Sequence, residues 1–346
     1  MNPLRKRPLI SGVKRSKGKF ESEKIACLDK INLGGVDQWI LIRGCNRHNP
    51  ILLCLHGGPG TAQIAFAPRY QAELEKHFVV INWDQRGSGK SFSEKMKKDS
   101  MSIEQLAADT CELVEAILKR FNRQKLYLLG HSWGSILGLL AVQNCPELFY
   151  SYISVGQVVD IQETGRILYD FLMESAKKSN NAKALRELES IGFPPAEKTT
   201  ENIMAQIHWA ERFGGVFRRP GLKKEISRTV IFSPDYTLRE KLNYYKASSF
   251  SFSSILDQLL EVNMLERVPE IQIPIYMCVG RNDYNTPFEL VEKYYNALKA
   301  PRKELVWFEN SAHAPHFEEP EEFSKLMLEK VLGKMPAYHE KASKPQ

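Results

Sequence analysis

The sequence predicts an α/β fold: a mostly parallel sheet of eight strands, helices on both faces of the sheet, and one helical insertion. Two patterns lead to this fold class. Short, continuous apolar runs alternate with helical patterns along most of the 346 residues. This alternation stops after residue 156 and resumes near residue 255. The composition, 43% hydrophobic and 26% charged, is that of an ordinary globular protein and excludes a disordered or collagen-like chain.

Each predicted element follows from its own apolar pattern. Alternating or continuous apolar runs predict strands at 37–43, 51–55, 78–83, 125–129, 151–155, 274–279 and 303–308. Helical periodicity or position between strands predicts helices at 102–121, 133–144, 254–265, 288–298 and 320–332. Ser102 is the expected N-cap of the first of these helices. Glycine and proline pairs divide residues 157–250, which are rich in charged and aromatic side chains, into several predicted short helices.

These patterns predict the domain organisation. We expect a basic N-terminal arm over 1–23, a core formed by 24–156 and 255–335, a helical cap over 157–254 and a C-terminal tail over 336–346. The cap leaves the core beyond the carboxyl end of a strand, where sheets of this type bind ligands. The cap is therefore expected to cover the functional site.

The net charge of +7 comes from the first 20 residues, which hold seven Lys and Arg and no acid. The rest of the chain sums to about zero, so we expect no nucleic-acid partner. An apolar run long enough to span a membrane is missing, and the basic start lacks the apolar segment of a signal peptide. The six cysteines form no CxxC pair and are expected to be reduced, mostly buried thiols. These features together predict a cytoplasmic protein. The sequence carries no indication of oligomeric state.

The strongest chemical signal is the pentapeptide from Gly130 to Gly134, GHSWG, which joins a predicted strand to a predicted helix. In that context G-x-S-x-G predicts a sharp turn that lifts Ser132 above the sheet as a nucleophile. The alternative is an ordinary glycine-rich junction between a strand and a helix.

A second glycine-rich segment, HGGPG at 56–60, follows another predicted strand. A loop at this position can donate a backbone N–H to an oxyanion, together with the N–H of the residue after the nucleophile. We therefore assign the predicted oxyanion hole to Gly58 and Trp133. His56 is interpreted as a structural side chain that holds this loop.

Polar residues that could complete a catalytic triad follow two later strands. Asp283 comes after the strand at 274–279, and His313 comes after the strand at 303–308. Both are expected beside Ser132 because the carboxyl ends of parallel strands meet at one edge of a sheet. His316 is the competing base, although it lies one helical turn farther along. Taken alone, Asp283 would more often be a turn or capping residue.

At these segments the chain resembles a known family. HGGPG, DQRGSGKS at 84–91, GHSWGS, GRNDYNTP at 280–287 and SAHAPHFEEP at 311–320 together resemble the α/β-hydrolase family that includes proline iminopeptidase. The chain order serine, aspartate, histidine also matches that family. The resemblance implies the α/β-hydrolase fold, a nucleophile at Ser132, an acid at Asp283, a base at His313 and a helical cap over the site. In the segment 84–91 we interpret Arg86 as a structural tie between loops.

One position departs from the iminopeptidase pattern. His131 precedes the nucleophile where those enzymes usually have glycine, and many esterases of the fold have histidine there. Iminopeptidases hold the free amino group of the substrate with carboxylates of the cap. Candidate substrate-binding residues of this cap are Glu201, Trp209 and Glu211, although each glutamate could instead be a solvated charge on a helix.

These residues predict a serine hydrolase that acts by acyl transfer, most simply an aminopeptidase that releases N-terminal proline-like residues from small peptides. A carboxylic-ester hydrolase for small hydrophobic esters is the alternative that His131 and the aromatic cap favour. A third alternative is a non-catalytic ligand-binding protein on the same fold. The sequence shows no metal-ligand cluster and neither a G-x-G-x-x-G motif nor a P-loop, so we expect no metal and no cofactor.

Overall fold

The computed structural model describes residues 23–193 and 199–333. Apart from residue 23, the predicted basic arm and the whole predicted C-terminal tail lie outside these ranges. None of the described helices is both long enough and apolar enough to cross a bilayer.

One eight-stranded sheet organises the described chain. In chain order its strands are β1 (Ile25–Leu33), β2 (Val36–Gly44), β3 (Ile51–Leu55), β4 (Val79–Asp84), β5 (Leu126–His131), β6 (Phe149–Val155), β7 (Ile275–Gly280) and β8 (Lys303–Phe308). Their spatial order is β1-β2-β4-β3-β5-β6-β7-β8. The pairs β1–β2 and β2–β4 are antiparallel, and every later pair is parallel. The predicted fold class is therefore confirmed.

Helices cover both faces of the sheet and also lie between β6 and β7. In chain order the α-helices are α1 (Leu74–His77), α2 (Ile103–Phe121), α3 (Trp133–Asn144), α4 (Ile161–Lys178), α5 (Ala182–Ile191), α6 (Thr200–Arg212), α7 (Leu222–Phe232), α8 (Leu238–Leu260), α9 (Met264–Arg267), α10 (Phe288–Ala297), α11 (Pro315–Glu318) and α12 (Pro320–Leu326). The last of them continues as a wider π-helical turn over Met327–Leu332.

Burial on both faces of the sheet explains why continuous apolar runs predicted the central strands. All five residues of β3 are buried, and they alternate between the two faces of the sheet. Leu53 packs with α2 and α3 on one face, whereas Leu52 packs with Phe323 and Met327 on the other. Helices α4 to α6 add a small core of their own, centred on Leu172 and Leu188.

The differences from the prediction include β1 and α8. β1 was not predicted, because the half-buried Asp29 and the exposed Lys30 interrupt the apolar pattern of this strand. The segment before the resumed core was expected to contain only short helices, but α8 runs for 23 residues. A capping box starts it, in which Thr237 and Glu240 each bind the backbone of the other.

Candidate active site

Ser132 lies on a sharp turn between β5 and α3, as the pentapeptide predicts. Its φ of 54° and ψ of −121° place a non-glycine residue in a strained region of backbone space. The Ser132 N–H donates to the carbonyl of Val155 at 2.9 Å, which ties the turn to the end of β6. The hydroxyl therefore stands at the N-terminus of α3, above the carboxyl edge of the sheet.

The two glycines that flank the turn are required by close approach. A Cβ on Gly134 would collide with the carbonyl oxygen of Leu55 in β3, and one on Gly130 would collide with the carbonyl oxygen of Gly134. The start of α3 packs closely against β3 and β5. Larger residues at either position would therefore displace the turn.

Asp283 and His313 are joined by a direct hydrogen bond. Nδ1 of His313 lies 2.9 Å from Oδ2 of Asp283, and both side chains are buried. The carboxylate also accepts the N–H of Asn285 at 2.9 Å, and from Thr286 both the N–H at 2.8 Å and the hydroxyl at 2.7 Å. These donors satisfy the buried charge and fix its orientation.

The end of β6 brings the imidazole of His313 beside the serine turn. A Cβ on Gly156 would lie 2.9 Å from Nδ1 of His313, so the ring rests directly on this glycine. The residue before it, Val155, holds the backbone of Ser132. The backbone N–H of His313 donates to the carbonyl of Val216 at 3.0 Å, which links the candidate base to the segment between α6 and α7.

The second ring nitrogen of His313 faces an amide. Nε2 lies 3.0 Å from Nδ2 of Asn285. With a proton on Nδ1 directed at Asp283, Nε2 carries the lone pair and accepts this hydrogen bond. The Ser132 hydroxyl has no hydrogen-bond partner among the described residues. In unliganded enzymes the bond between a serine and its base is often long, and it shortens when substrate binds.

The two residues predicted to form the oxyanion hole lie at a cavity beside Ser132. Gly58 and Trp133 line this cavity together with the serine. Within the described ranges, neither N–H donates to another group of the protein. The peptide bond between Gly58 and Pro59 is cis. Unpaired N–H groups beside a nucleophile can stabilise the negative charge that develops on a carbonyl oxygen.

Two buried side chains hold the backbone segments that carry these N–H groups. His56 is fully buried, with Nδ1 2.8 Å from the Gly57 carbonyl and Nε2 3.2 Å from the Gln85 N–H that donates to it. Burial lowers the pKa of His56 to about 4. Gln85 also accepts the indole N–H of Trp133 at 2.9 Å. His56 therefore holds the loop, as expected, and Gln85 connects the two segments of the candidate oxyanion hole.

The remaining histidines of the motifs pack behind the site. Burial, followed by the neighbouring imidazoles of His316 and His313, lowers the pKa of His131 well below its usual value. The His316 ring lies 3.8 Å from that of Phe317, and neither of its nitrogens has a hydrogen-bond partner in the described chain. His316 does not contact Asp283, so the hydrogen-bonding geometry favours His313 as the base.

Arg86 occupies the structural role that the sequence indicated. Its guanidinium makes two hydrogen bonds of 2.8 Å to the carboxylate of Asp109, and it also donates to the carbonyls of Leu33 and Gly34. Both charged side chains are buried. This paired fork joins the segment after β4 to α2 and to the β1–β2 turn.

A mostly apolar cavity of about 170 Å³ opens beside Ser132, between the core and the helices of the insertion. None of its described lining residues carries a charged side chain. The lining is formed by Gly58, Ser132, Trp133, Val158, Ile161, Gln162, Thr164, Gly165, Leu168, Phe193, Ile203, Gln206, Ile207, Phe252, Leu256, Leu259, Leu260, Asn285 and Thr286.

The structure does not bring the three candidate substrate-binding residues to this cavity. Glu201 is exposed, and Glu211 pairs with Lys223. The Trp209 ring is buried among the helices of the insertion, and its indole N–H donates to Glu187 at 2.8 Å. The physical reason is the phase of α6. At 3.6 residues per turn its cavity-facing side carries 203, 206 and 207, while 201, 209 and 211 point elsewhere.

Polar residues of the cavity lining that were not identified from the sequence include Gln206, Asn285 and Thr286. Asn285 and Thr286 belong to the GRNDYNTP segment, so their proximity to Asp283 was available as a signal. The sequence held no such signal for Gln206, because the direction of its side chain depends on the phase and packing of α6. Within residues 23–193 and 199–333, no three His, Cys, Asp or Glu side chains cluster as a metal site requires.

Comparisons with known proteins agree with this architecture. Residues 50–320 match the family described as alpha/beta hydrolase fold. The chain is 36% identical over 308 residues to the probable aminopeptidase YbaC of Bacillus subtilis, covering 89% of this chain and 96% of that protein. It is 26% identical over 279 residues to a proline iminopeptidase of Heyndrickxia coagulans, covering 79% and 87% of the two chains.

A solved structure shares the fold. The proline iminopeptidase of Mycobacterium smegmatis superposes with a TM-score of 0.66 at 16% identity, over 88% of this chain and 98% of that chain. The resemblance predicted from the motifs is confirmed by these matches, and this chain belongs to the α/β-hydrolase family.

Proposed function

We propose that this hydrolase is a serine enzyme that acts by acyl transfer. Ser132 is the nucleophile, His313 is the general base, and Asp283 is the carboxylate of the triad that orients His313. The observation that carries the proposal is the 2.9 Å hydrogen bond between Asp283 and His313, whose ring rests against the end of β6 that also holds Ser132.

In the proposed reaction Ser132 Oγ attacks the substrate carbonyl while Nε2 of His313 takes the hydroxyl proton. The carbonyl oxygen becomes an oxyanion, and the N–H groups of Gly58 and Trp133 stabilise it. Each such donor is worth a factor of about 10²–10³ in rate. His313 then returns the proton to the leaving group, and water releases the acyl group by the same steps in reverse. Asp283 holds the Nδ1 tautomer and stabilises the imidazolium that forms.

For the substrate we propose peptides from which a single small, apolar N-terminal residue is released, with proline as the reference residue. The names of the relatives support this choice. The cavity volume also supports it, since about 170 Å³ is small beside the ~300–1,000 Å³ of typical ligand pockets.

A carboxylic-ester hydrolase is the second candidate, and one specific observation favours it. The described lining of the cavity has no carboxylate that could pair with the ammonium group of a peptide, whereas a neutral ester needs none.

A direct comparison of kcat/KM separates the two candidates. L-Proline β-naphthylamide and the 4-nitrophenyl esters of acetate and butyrate are assayed with the same preparation, and Ser132→Ala serves as the blank. Turnover of the naphthylamide that Ser132→Ala lacks supports the aminopeptidase. Turnover of the esters alone contradicts it and leaves the ester hydrolase.

A further inference from the structure

The side chain of Gln206 is buried in the cavity wall without a partner. It is 8% exposed and lies on the side of α6 that faces the cavity. Its Nε2 is shielded from solvent and has no hydrogen-bond partner among the described residues. Burying an amide in this way is unfavourable, and most buried polar groups in native proteins are hydrogen-bonded.

The surroundings of this amide make it a ligand-binding group rather than a packing defect. Its neighbours on the cavity side of α6 are Ile203 and Ile207, and Leu168 and Phe252 also line the cavity. A hydrogen bond made in such an apolar site is stronger than one made in water. Ser132 lines the same cavity as Gln206, so one substrate bound in this cavity can contact both residues.

A second glutamine in the cavity wall differs from Gln206, because its side chain has a hydrogen-bond partner. Gln162 also lines the cavity, but its side chain is engaged: Nε2 donates to the carbonyl of Leu260 at 2.8 Å. Gln162 is also less buried than Gln206. The two residues have the same chemistry and share the cavity, and only the amide of Gln206 remains without a partner.

We propose that Gln206 is the specificity-determining residue of the acyl site, and that its amide binds the amino nitrogen of the substrate's N-terminal residue. This inference rests on the proposed aminopeptidase function and replaces the carboxylate expected in that role with a neutral hydrogen-bonding group. The amide can accept from an N–H of the amine or donate to its lone pair. The substrate class is therefore a small N-terminal residue with an apolar side chain and a free amino nitrogen.

Two substrates of nearly equal shape test the assignment. L-Prolyl 4-nitroanilide and cyclopentanecarbonyl 4-nitroanilide differ in one ring position, where N–H is replaced by CH₂. A site built around a hydrogen bond rejects an analogue that lacks the bonding group far more strongly than a pocket rejects a lost methylene, which changes rates about 10–200-fold. We expect the wild-type protein to favour the prolyl substrate by at least about 10³-fold in kcat/KM, which exceeds the effect of a lost methylene.

The variants are Gln206→Met and Gln206→Leu, with Gln162→Met as the matched control. Both Gln206 variants should reduce the ratio of the two kcat/KM values to within a few-fold, through loss of the prolyl reaction, while turnover of the analogue is kept. Gln162→Met should retain the wild-type ratio. A wild-type protein without the preference, or Gln206 variants that keep it, would overturn the assignment.

Labelling by a fluorophosphonate probe, measured on every variant, distinguishes this failure from failure of the proposed function. Labelled variants with an unchanged ratio overturn only the role of Gln206. A wild-type protein that is neither labelled nor active on either anilide contradicts the serine mechanism, and the role of Gln206 with it.

Discussion

Oδ2 of Asp283 lies 2.9 Å from Nδ1 of His313, and a carboxylate can only accept in this contact. The Nδ1 proton is thereby fixed, and Nε2 is left as the acceptor that a general base needs. The Asn285 amide donates to this acceptor at 3.0 Å, so in the proposed reaction it must move aside before His313 can take the Ser132 proton.

Asp283→Asn should leave the fold intact and reduce kcat by about 10⁴. The asparagine amide can present its N–H₂ group to Nδ1, which favours the opposite tautomer and removes the lone pair from Nε2. Steady-state kinetics with the best substrate measures the loss, and circular dichroism checks the fold. Asp257→Asn, at an exposed position of α8, is the matched control. An unchanged rate in Asp283→Asn would remove this residue from the triad.

Tyr236→Phe should destabilise the protein by about 1–3 kcal/mol, because it removes a donor from a buried carboxylate. The Tyr236 hydroxyl donates at 2.5 Å to Asp84, which lies at the end of β4 and whose pKa burial raises to about 7. This bond ties the segment before α8 to the core. Urea unfolding monitored by fluorescence measures the change. Tyr245→Phe, at a ring that is 73% exposed, is the control, and an equal effect of both variants would contradict the tie.

His316→Phe should make the protein less sensitive to acid. Burial lowers the pKa of His316 from 6.5 to about 3. Between these values the unfolded chain binds a proton there and the folded chain does not, so stability falls as the pH falls. The slope for one such group is about 1.4 kcal/mol per pH unit. The substitution removes this loss, and it breaks no hydrogen bond because both ring nitrogens lack partners in the described chain.

Unfolding free energies at pH 7.5, 6.0, 5.0 and 4.5 test this prediction. The His316→Phe curve should lie close to the wild-type curve at pH 7.5 and above it at pH 5.0. His48→Phe, at an exposed loop position, should follow the wild-type slope. Parallel curves for His316→Phe and the wild-type protein would show that the histidine is not buried in its neutral form.

The sequence predicted the core of the fold because its strands are buried on both faces. β3 and β7 have no exposed residue, so an apolar run is both necessary and visible. β1 is different: it lies at the edge of the sheet, where Lys30 is exposed and the pattern weakens. The length of α8 was missed because its capping box at Thr237 lies inside the polar segment 157–250, which was assigned to short helices, so the predicted helix began only at residue 254.

The candidate site also has a part that the sequence could predict and a part that it could not. Ser132, Asp283 and His313 follow strands of one parallel sheet, so their common edge could be predicted from chain order alone. The side chains of the insertion that face the cavity could not be predicted, because they depend on how α6 is rotated against the core. Residue type pointed to Glu211, whereas helical phase places Gln206 in the cavity wall.

The most direct test of the account is covalent labelling of the purified protein with a fluorophosphonate, followed by intact mass and peptide mapping. We predict one adduct per chain, located on Ser132 and missing from Ser132→Ala. A wild-type protein that stays unmodified, or an adduct that survives in Ser132→Ala, would contradict the assignment of the nucleophile.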